Sequence, residues 1–208
     1  MSADQEAETI ATYDRTAASW ATEHEIVNDW LGTAAEFKQL LPSGRVLEVG
    51  CGGGRDAAEL LRLGYDYLGT DASAKMVQVV QERLPSAHFE QMSVYDVAKL
   101  EQQFDGLWAC AVLLHIPKRR IDEAIRPLNR VLRLGAIGMI SMKDGNAEEF
   151  EVRDKGGTHE ERLFVYWSKA DFTNVIERNG FRLVNYTYRP SDARTNWHAF
   201  FVQKDQEV

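Results

Sequence analysis

The chain has 208 residues, enough for one domain around a single sizeable core. Its 44% hydrophobic and 27% charged residues are the balance of a globular protein and exclude a disordered or fibrous one. Against 32 acidic side chains stand only 24 basic ones, and the resulting net charge of −8 disfavours a nucleic-acid backbone as the main partner. No run of eighteen apolar residues is present, so no membrane span is expected. The first eight residues are polar and acidic, unlike a signal peptide, which points to a cytoplasmic protein. Cys51 and Cys110 stand apart with no CxxC pattern and read as free thiols. The histidines at 24, 88, 115, 159 and 198 lack ligand spacing, and no metal site is expected.

Residues 1–41 read as a helical N-terminal extension with Tyr13, Trp20, Trp30 and Phe37 as its aromatic positions. Residues 45–49 are a short apolar run that ends in glycines, as a buried parallel strand does. Helical spacing follows over 57–63 and stops at Gly64. A second strand covers 65–70, and Asp71-Ala72-Ser73 enters a helix over 74–84 that Pro85 closes. Strands are predicted at 88–91 and 104–113, then an amphipathic helix over 119–134 ended by Gly135, then a fifth strand at 137–142. Residues 144–163 are polar, carry Gly145, Gly156 and Gly157, and read as an inserted loop over the strand ends, where ligands bind. Ser168 caps a helix running to Asn179, and the runs 181–188 and 197–203 have no helix between them, so they form an edge hairpin. Strands alternating with helices give an α/β fold of one domain, a mostly parallel sheet covered on both faces.

The chemistry is concentrated at the first strand–helix turn. Gly50, Gly52 and Gly54 let the chain turn sharply and let a ligand approach the backbone. A dinucleotide-binding GxGxxG would place its third glycine at position 55, where this chain has Arg55. The pattern is instead E-x-G-x-G-x-G. Glu48 beside that loop would repel a pyrophosphate but can hold a cationic amino group. Asp71 follows Gly50 by 21 residues, at the end of the second strand, where a carboxylate can accept both hydroxyls of a ribose. Asp71 can also serve as a helix cap, and the two roles are compatible.

These residues, with Val46-Leu47-Glu48-Val49-Gly50-Cys51-Gly52-Gly53-Gly54-Arg55-Asp56 as the central run, resemble the class I S-adenosylmethionine-dependent methyltransferases. The likeness continues in Gly69-Thr70-Asp71-Ala72-Ser73, in Phe104-Asp105-Gly106-Leu107-Trp108 and in Leu132-Arg133-Leu134-Gly135-Ala136. A narrower likeness to bacterial small-molecule methyltransferases runs through residues 105–117, 141–145, 162–166 and 192–194. The resemblance implies a Rossmann-like seven-stranded sheet with an antiparallel last strand, and an N-terminal helical lid. It implies S-adenosyl-L-methionine as cofactor, S-adenosyl-L-homocysteine as product, and methyl transfer to a small-molecule acceptor by in-line attack on the sulfonium methyl.

Carried over by position, Glu48, Gly50, Cys51, Gly52, Gly54 and Arg55 would hold the methionine part, with carbonyls of Cys110 and Ala111 near its amino group. Asp71 would take the ribose, and Ala72 and Met76 would line the adenine. Many members have an acid near position 93; this chain has Ser93, with Val94 offering its backbone N–H. Tyr13 and Trp20 are spaced to fold over the cofactor as a lid, or to anchor the N-terminal helix; Trp20 also falls on the acceptor side. His115 follows the fourth strand, where the acceptor belongs, as a candidate base or as a structural histidine. Lys143, Tyr166 and Arg194 are candidates for an anion-binding rim, with surface pairing as the competing reading. The alternatives are an RNA-modifying methyltransferase, which the net charge opposes, a nicotinamide oxidoreductase, which Glu48 and Arg55 oppose, and a binding module without turnover.

Overall fold

The computed structural model describes residues 3–24, 31–155, 158–190 and 195–208. Five strands alternate with helices in the first two thirds of the chain. They are β1 (Arg45–Val49), β2 (Asp66–Asp71), β3 (His88–Gln91), β4 (Phe104–Ala109) and β5 (Leu132–Asp144). The connecting helices are α3 (Arg55–Arg62) and α4 (Ala74–Arg83), then α5 (Ile121–Val131) after two short 3-10 turns. Before β1 come α1 (Ala3–Glu23) and α2 (Leu31–Leu40). After β5 come a ribbon of β6 (Glu148–Lys155) and β7 (Thr158–Trp167), then α6 (Lys169–Arg178), β8 (Phe181–Arg189) and β9 (Trp197–Lys204).

The strand order is β3-β2-β1-β4-β5, all parallel, and β9 then pairs antiparallel with β5 over Ile137 to Lys143. β8 completes the edge by pairing antiparallel with β9. The expected hairpin and antiparallel last strand are therefore present. Each face of the sheet is covered, as parallel strands require. On one side α5 and α6 pack Ile125, Leu128, Phe172 and Ile176 against Leu107, Ile140 and Phe200. On the other, Phe37 of α2 sets its ring edge against Trp108, 5.3 Å between centroids, beside Leu60 and Val80 of α3 and α4. No helix among the described residues is long and apolar enough to cross a membrane.

Two expectations are corrected. The helix expected over 119–134 ends at Val131, and β5 begins at once with Leu132 opposite Phe104. The register then slips before Gly106 pairs with Ile137, so Leu134 is exposed and Gly135 takes a positive φ of 84°. Arg133 leaves the helix face because its guanidinium pairs with Asp105 on β4. Apolar spacing could not register that competing ion pair.

The segment 144–163, expected as a loop, is largely ribbon. β6 and β7 pair antiparallel from Glu148↔Val165 to Lys155↔Thr158, and β7 touches the end of β5 at Lys143↔Tyr166. Its sequence is polar because only Leu163, Val165 and Trp167 are deeply buried, together with Phe164. Part of its backbone is satisfied by α1 instead of by another strand. The Thr12 hydroxyl accepts from Glu161 N–H at 3.0 Å and donates to Glu161 O at 2.9 Å, and Thr9 accepts from Leu163 N–H at 2.9 Å. Helix hydroxyls closing a strand edge is a pattern without hydrophobic periodicity.

Candidate active site

A cavity of about 710 Å3 opens at the C-terminal ends of β1, β2 and β4, with α1 lying across it. This is where an open parallel sheet places its ligands, because loops diverge there and helix N-termini converge. α1 is fastened on both sides of the opening. Asp14 accepts from the Ser73 hydroxyl at 2.6 Å and from Lys75 N–H at 3.0 Å, so it caps α4. Nearer the helix start, Glu6 pairs with Arg120 and accepts from the Tyr95 hydroxyl, both at 2.6 Å.

The glycine loop forms the floor. Gly50 has φ +71°, and a Cβ there would lie 2.5 Å from Val112, so this position excludes a side chain. At Gly52, φ +49°, a Cβ would instead meet only Trp20 Nε1, at an ordinary contact distance of 3.8 Å. Without a side chain at Gly52 the loop backbone stays open to the cavity that Trp20 also lines, a cradle for a ligand. Gly52 N–H donates to Asp71 Oδ2 and Ser73 N–H donates to Asp71 Oδ1, both at 2.9 Å. Asp71 is thereby aimed along the cavity, with lone pairs left over for hydroxyl donors. Burial pushes its pKa up, and the two backbone N–H groups oppose that shift.

Glu48 is 2% exposed. Its carboxyl accepts from the Tyr67 hydroxyl, and burial, then the nearby Asp56 carboxylate, hold its pKa well above the usual range. A cation placed beside this carboxyl would favour its ionised form. Arg55 is held over the cavity by Asp56, 2.7 Å from Nε, while Asp56 also accepts from Trp108 Nε1 at 3.0 Å. The donor set is two buried carboxyls, a glycine cradle and one fixed guanidinium. It fits the ribose, the ammonium and the carboxylate of an adenosylated amino acid.

At the far wall Ala111 takes φ +55°, a left-handed conformation costing a non-glycine residue about 1–2 kcal/mol, and its N–H donates to Ser141 Oγ at 2.8 Å. His115 sits beyond it. Nδ1 lies 2.6 Å from the carbonyl oxygen of Leu163, which can only accept, so Nδ1 carries the proton. Nε2 then accepts from the Tyr13 hydroxyl at 2.9 Å. Burial pushes the imidazole down to about 3, and it is neutral across the physiological range.

Of the residues expected at the site, Tyr13, Trp20, Glu48, Gly50, Cys51, Gly52, Arg55, Asp71, Ala72, Met76, Ser93, Val94, Cys110, Ala111 and His115 all line this one cavity. Gly54 does not. Its φ of +86° starts α3, and a Cβ there would lie 2.5 Å from Val80, so its role is close helix packing. Lys143 and Tyr166 stand side by side across β5 and β7 but off the cavity wall. The Lys143 ammonium rests 3.5 Å from the Phe164 ring centroid, where burial lowers it to about 8. Arg194 lies outside the described residues, as does Trp30.

Sequence reasoning missed the tip of the β8–β9 hairpin, where Thr187, Tyr188, Arg189 and Pro190 join the wall beside Trp197. It also missed Glu6, Thr9 and Ile10 of α1, and Tyr95 beneath them. Asp14 had one local signal, an acid directly after the aromatic Tyr13 on a helix expected to cover the site. The hairpin tip had none, because strand alternation does not tell which end of an edge strand faces a ligand.

Comparison with known proteins agrees with this geometry. Residues 46–135 match the family model described as a methyltransferase domain. A methyltransferase of Streptomyces halstedii, GfsG, is 34% identical over 107 residues, 48% of this chain and 37% of that protein. The match thus spans well under half of that relative's length. Among solved structures, the 1,6-didemethyltoxoflavin-N1-methyltransferase of Burkholderia thailandensis, with 1,6-didemethyltoxoflavin and S-adenosylhomocysteine bound, superimposes with TM-score 0.75. It is 17% identical over 99% of this chain and 92% of its own. DhpI in complex with S-adenosylhomocysteine gives TM-score 0.77 at 17% identity, with both chains fully covered. At such identities the superpositions establish the fold, and the domain match establishes the lineage of the cofactor loop. Residues 46–135 thus match a methyltransferase domain, and the chain as a whole has the fold of S-adenosylmethionine-dependent methyltransferases.

Proposed function

We propose that this chain transfers the methyl group of S-adenosylmethionine to a small-molecule acceptor by in-line displacement. The observation that carries the reading is the pairing of Glu48 and Asp71, two buried carboxyls on one glycine cradle inside a roofed cavity. The bound cofactor would supply an electrophilic methyl on a sulfonium. Asp71 would take the ribose hydroxyls, Glu48 and the Cys110 and Ala111 backbone the ammonium, and Arg55 the carboxylate. Ala72, Met76, Ser93 and Val94 would enclose the adenine.

α1 and the hairpin tip would exclude water and hold the acceptor in line, which is the larger part of what such a displacement needs. The neutral, fully engaged His115 fits a positioning role: it fixes the Tyr13 hydroxyl against the cavity while Leu163 fixes its ring. A base with its acceptor nitrogen already filled, and with Arg162 and Lys143 opposing any gain of charge, is poorly suited to take a proton. A small acceptor also accords with the roofed cavity and with the 1,6-didemethyltoxoflavin bound to the Burkholderia thailandensis protein.

Titration calorimetry with S-adenosylmethionine, S-adenosylhomocysteine and NADH tests the cofactor assignment. Both adenosyl compounds are expected to bind and NADH is not; binding of NADH alone would overturn it. Transfer of an isotopic methyl from the cofactor into a metabolite pool then separates an enzyme from a binding module without turnover.

A further inference from the structure

Of the charged side chains on the cavity wall, most are already matched. Arg55 holds Asp56, Glu6 holds Arg120, Glu48 receives Tyr67, and Asp71 receives two backbone N–H groups. Arg189 is the exception. It lines the cavity, and its buried Nε has no hydrogen-bond partner among the described residues. An unmatched guanidinium N–H removed from water is costly unless a ligand supplies the acceptor.

Register places a second cation in the same row. Trp197 on β9 is directly opposite Arg189 on β8 and directly opposite Lys143 on β5. Direct cross-strand partners project to one face, so the order across the sheet is cation, indole, cation, spanning about 10 Å at the backbone. Neither Lys143 nor Arg189 forms an ion pair with a described carboxylate. Asp144, the acid adjoining this row, is taken by the Tyr188 hydroxyl at 3.2 Å and His198 Nε2 at 3.0 Å. Glu151 and Glu149 of β6 act on Lys143 from beyond ion-pair distance, and Glu151 is already held by Arg153.

We propose that the methyl acceptor is a small carboxylate with a flat, unsaturated body, its anionic group held by Arg189 and its body laid against Trp197. Lys143 adds long-range attraction from across the row. The guanidinium fork matches a carboxylate in two hydrogen bonds, and an indole face matches a planar body in area. This substrate class rests on the methyltransferase reading above.

The test is calorimetric titration of the full chain, first with S-adenosylhomocysteine and then, with that compound saturating, with cinnamate, fumarate, cinnamamide and fumaramide. Each acid is expected to bind about tenfold or more tighter than its amide, as a charge-assisted pair at a partly buried site predicts. Arg189→Gln should bring that ratio close to one, Arg189→Lys should restore part of it, and Lys143→Gln should lower it by a smaller factor. The S-adenosylhomocysteine affinity of each variant reports whether its fold is intact. If the homocysteine compound binds while acids and amides bind alike, or not at all, the carboxylate proposal fails and the methyltransferase reading stands. An acid preference that survives in Arg189→Gln also overturns it. Failure of the wild type to bind S-adenosylhomocysteine removes the underlying reading and the proposal with it.

Discussion

The two halves of the cavity are built on different principles. The half proposed for the cofactor is local: Gly50, Gly52, Asp71 and Ser73 lie on consecutive strand–helix turns, and Asp71 accepts from backbone N–H groups 2 and 19 positions away. The half proposed for the acceptor is assembled from the whole chain. Tyr13 meets His115 across 102 positions, and Thr12 meets Glu161 across 149. Local geometry is fixed by the backbone conformation of a few residues. The distant half depends on α1, the ribbon and the β8–β9 hairpin docking together. The difference teaches that one half can be redesigned by evolution without disturbing the other, which suits a fold that keeps its methyl donor and changes its acceptor.

The largest effect expected falls on the local half. Asp71→Asn should weaken S-adenosylhomocysteine binding by about 100-fold, since hydrogen bonds to a charged group contribute roughly 1.5–3 kcal/mol each. Titration calorimetry reads this, and an affinity within threefold of wild type would show that the acid is only a cap. Gly50→Ala tests the loop itself. With Val112 2.5 Å from the new Cβ and φ at +71°, it should cost about 2–4 kcal/mol of stability by chemical denaturation.

The distant half should yield more gently. Thr12→Val removes both side-chain bonds to Glu161 and should cost about 1–2 kcal/mol, with faster hydrogen exchange at the Glu161 and Leu163 amides and little change at Gly52. Equal acceleration at Gly52 would mean that the two halves open together. The smallest effect at neutral pH, and the most diagnostic in acid, belongs to His115. Its folded-state pKa is depressed from 6.5 to about 3, so the stability it permits is fully present above 6.5. As pH falls from 6.5 towards 3 the unfolded chain takes up a proton that the folded chain refuses, and stability drops by about 1.4 kcal/mol per pH unit from this group. His115→Gln should flatten that acid limb in denaturation measured at pH 7, 6 and 5. In the same range kcat/KM should show no limb assignable to an imidazole, and one that vanishes in His115→Gln would restore the histidine as a base.

How much was legible follows the same division. The glycine spacing, Glu48 and Asp71 could be read directly, because each is demanded by the conformation or charge of its own turn. Gly54 was read correctly as part of the loop but assigned to the ligand, when its φ and its closeness to Val80 serve packing. Lys143, expected on an anion-binding rim, stands on β5 two strands from Arg189 and off the cavity wall, while Arg189, which no local pattern marks, lines the cavity. The ribbon of β6 and β7 escaped notice because threonines of α1 complete its hydrogen bonding in place of a neighbouring strand.

The sequence by itself determined the alternation of strands and helices, the antiparallel edge hairpin and the cofactor turn. Hydrophobic period and positive-φ glycines are properties of short segments, and they survive without tertiary context. Only the tertiary structure decided the state of His115 and the composition of the far cavity wall. Protonation follows from burial and from partners on other elements, and the wall depends on which ends of distant strands meet. A linear pattern encodes neither.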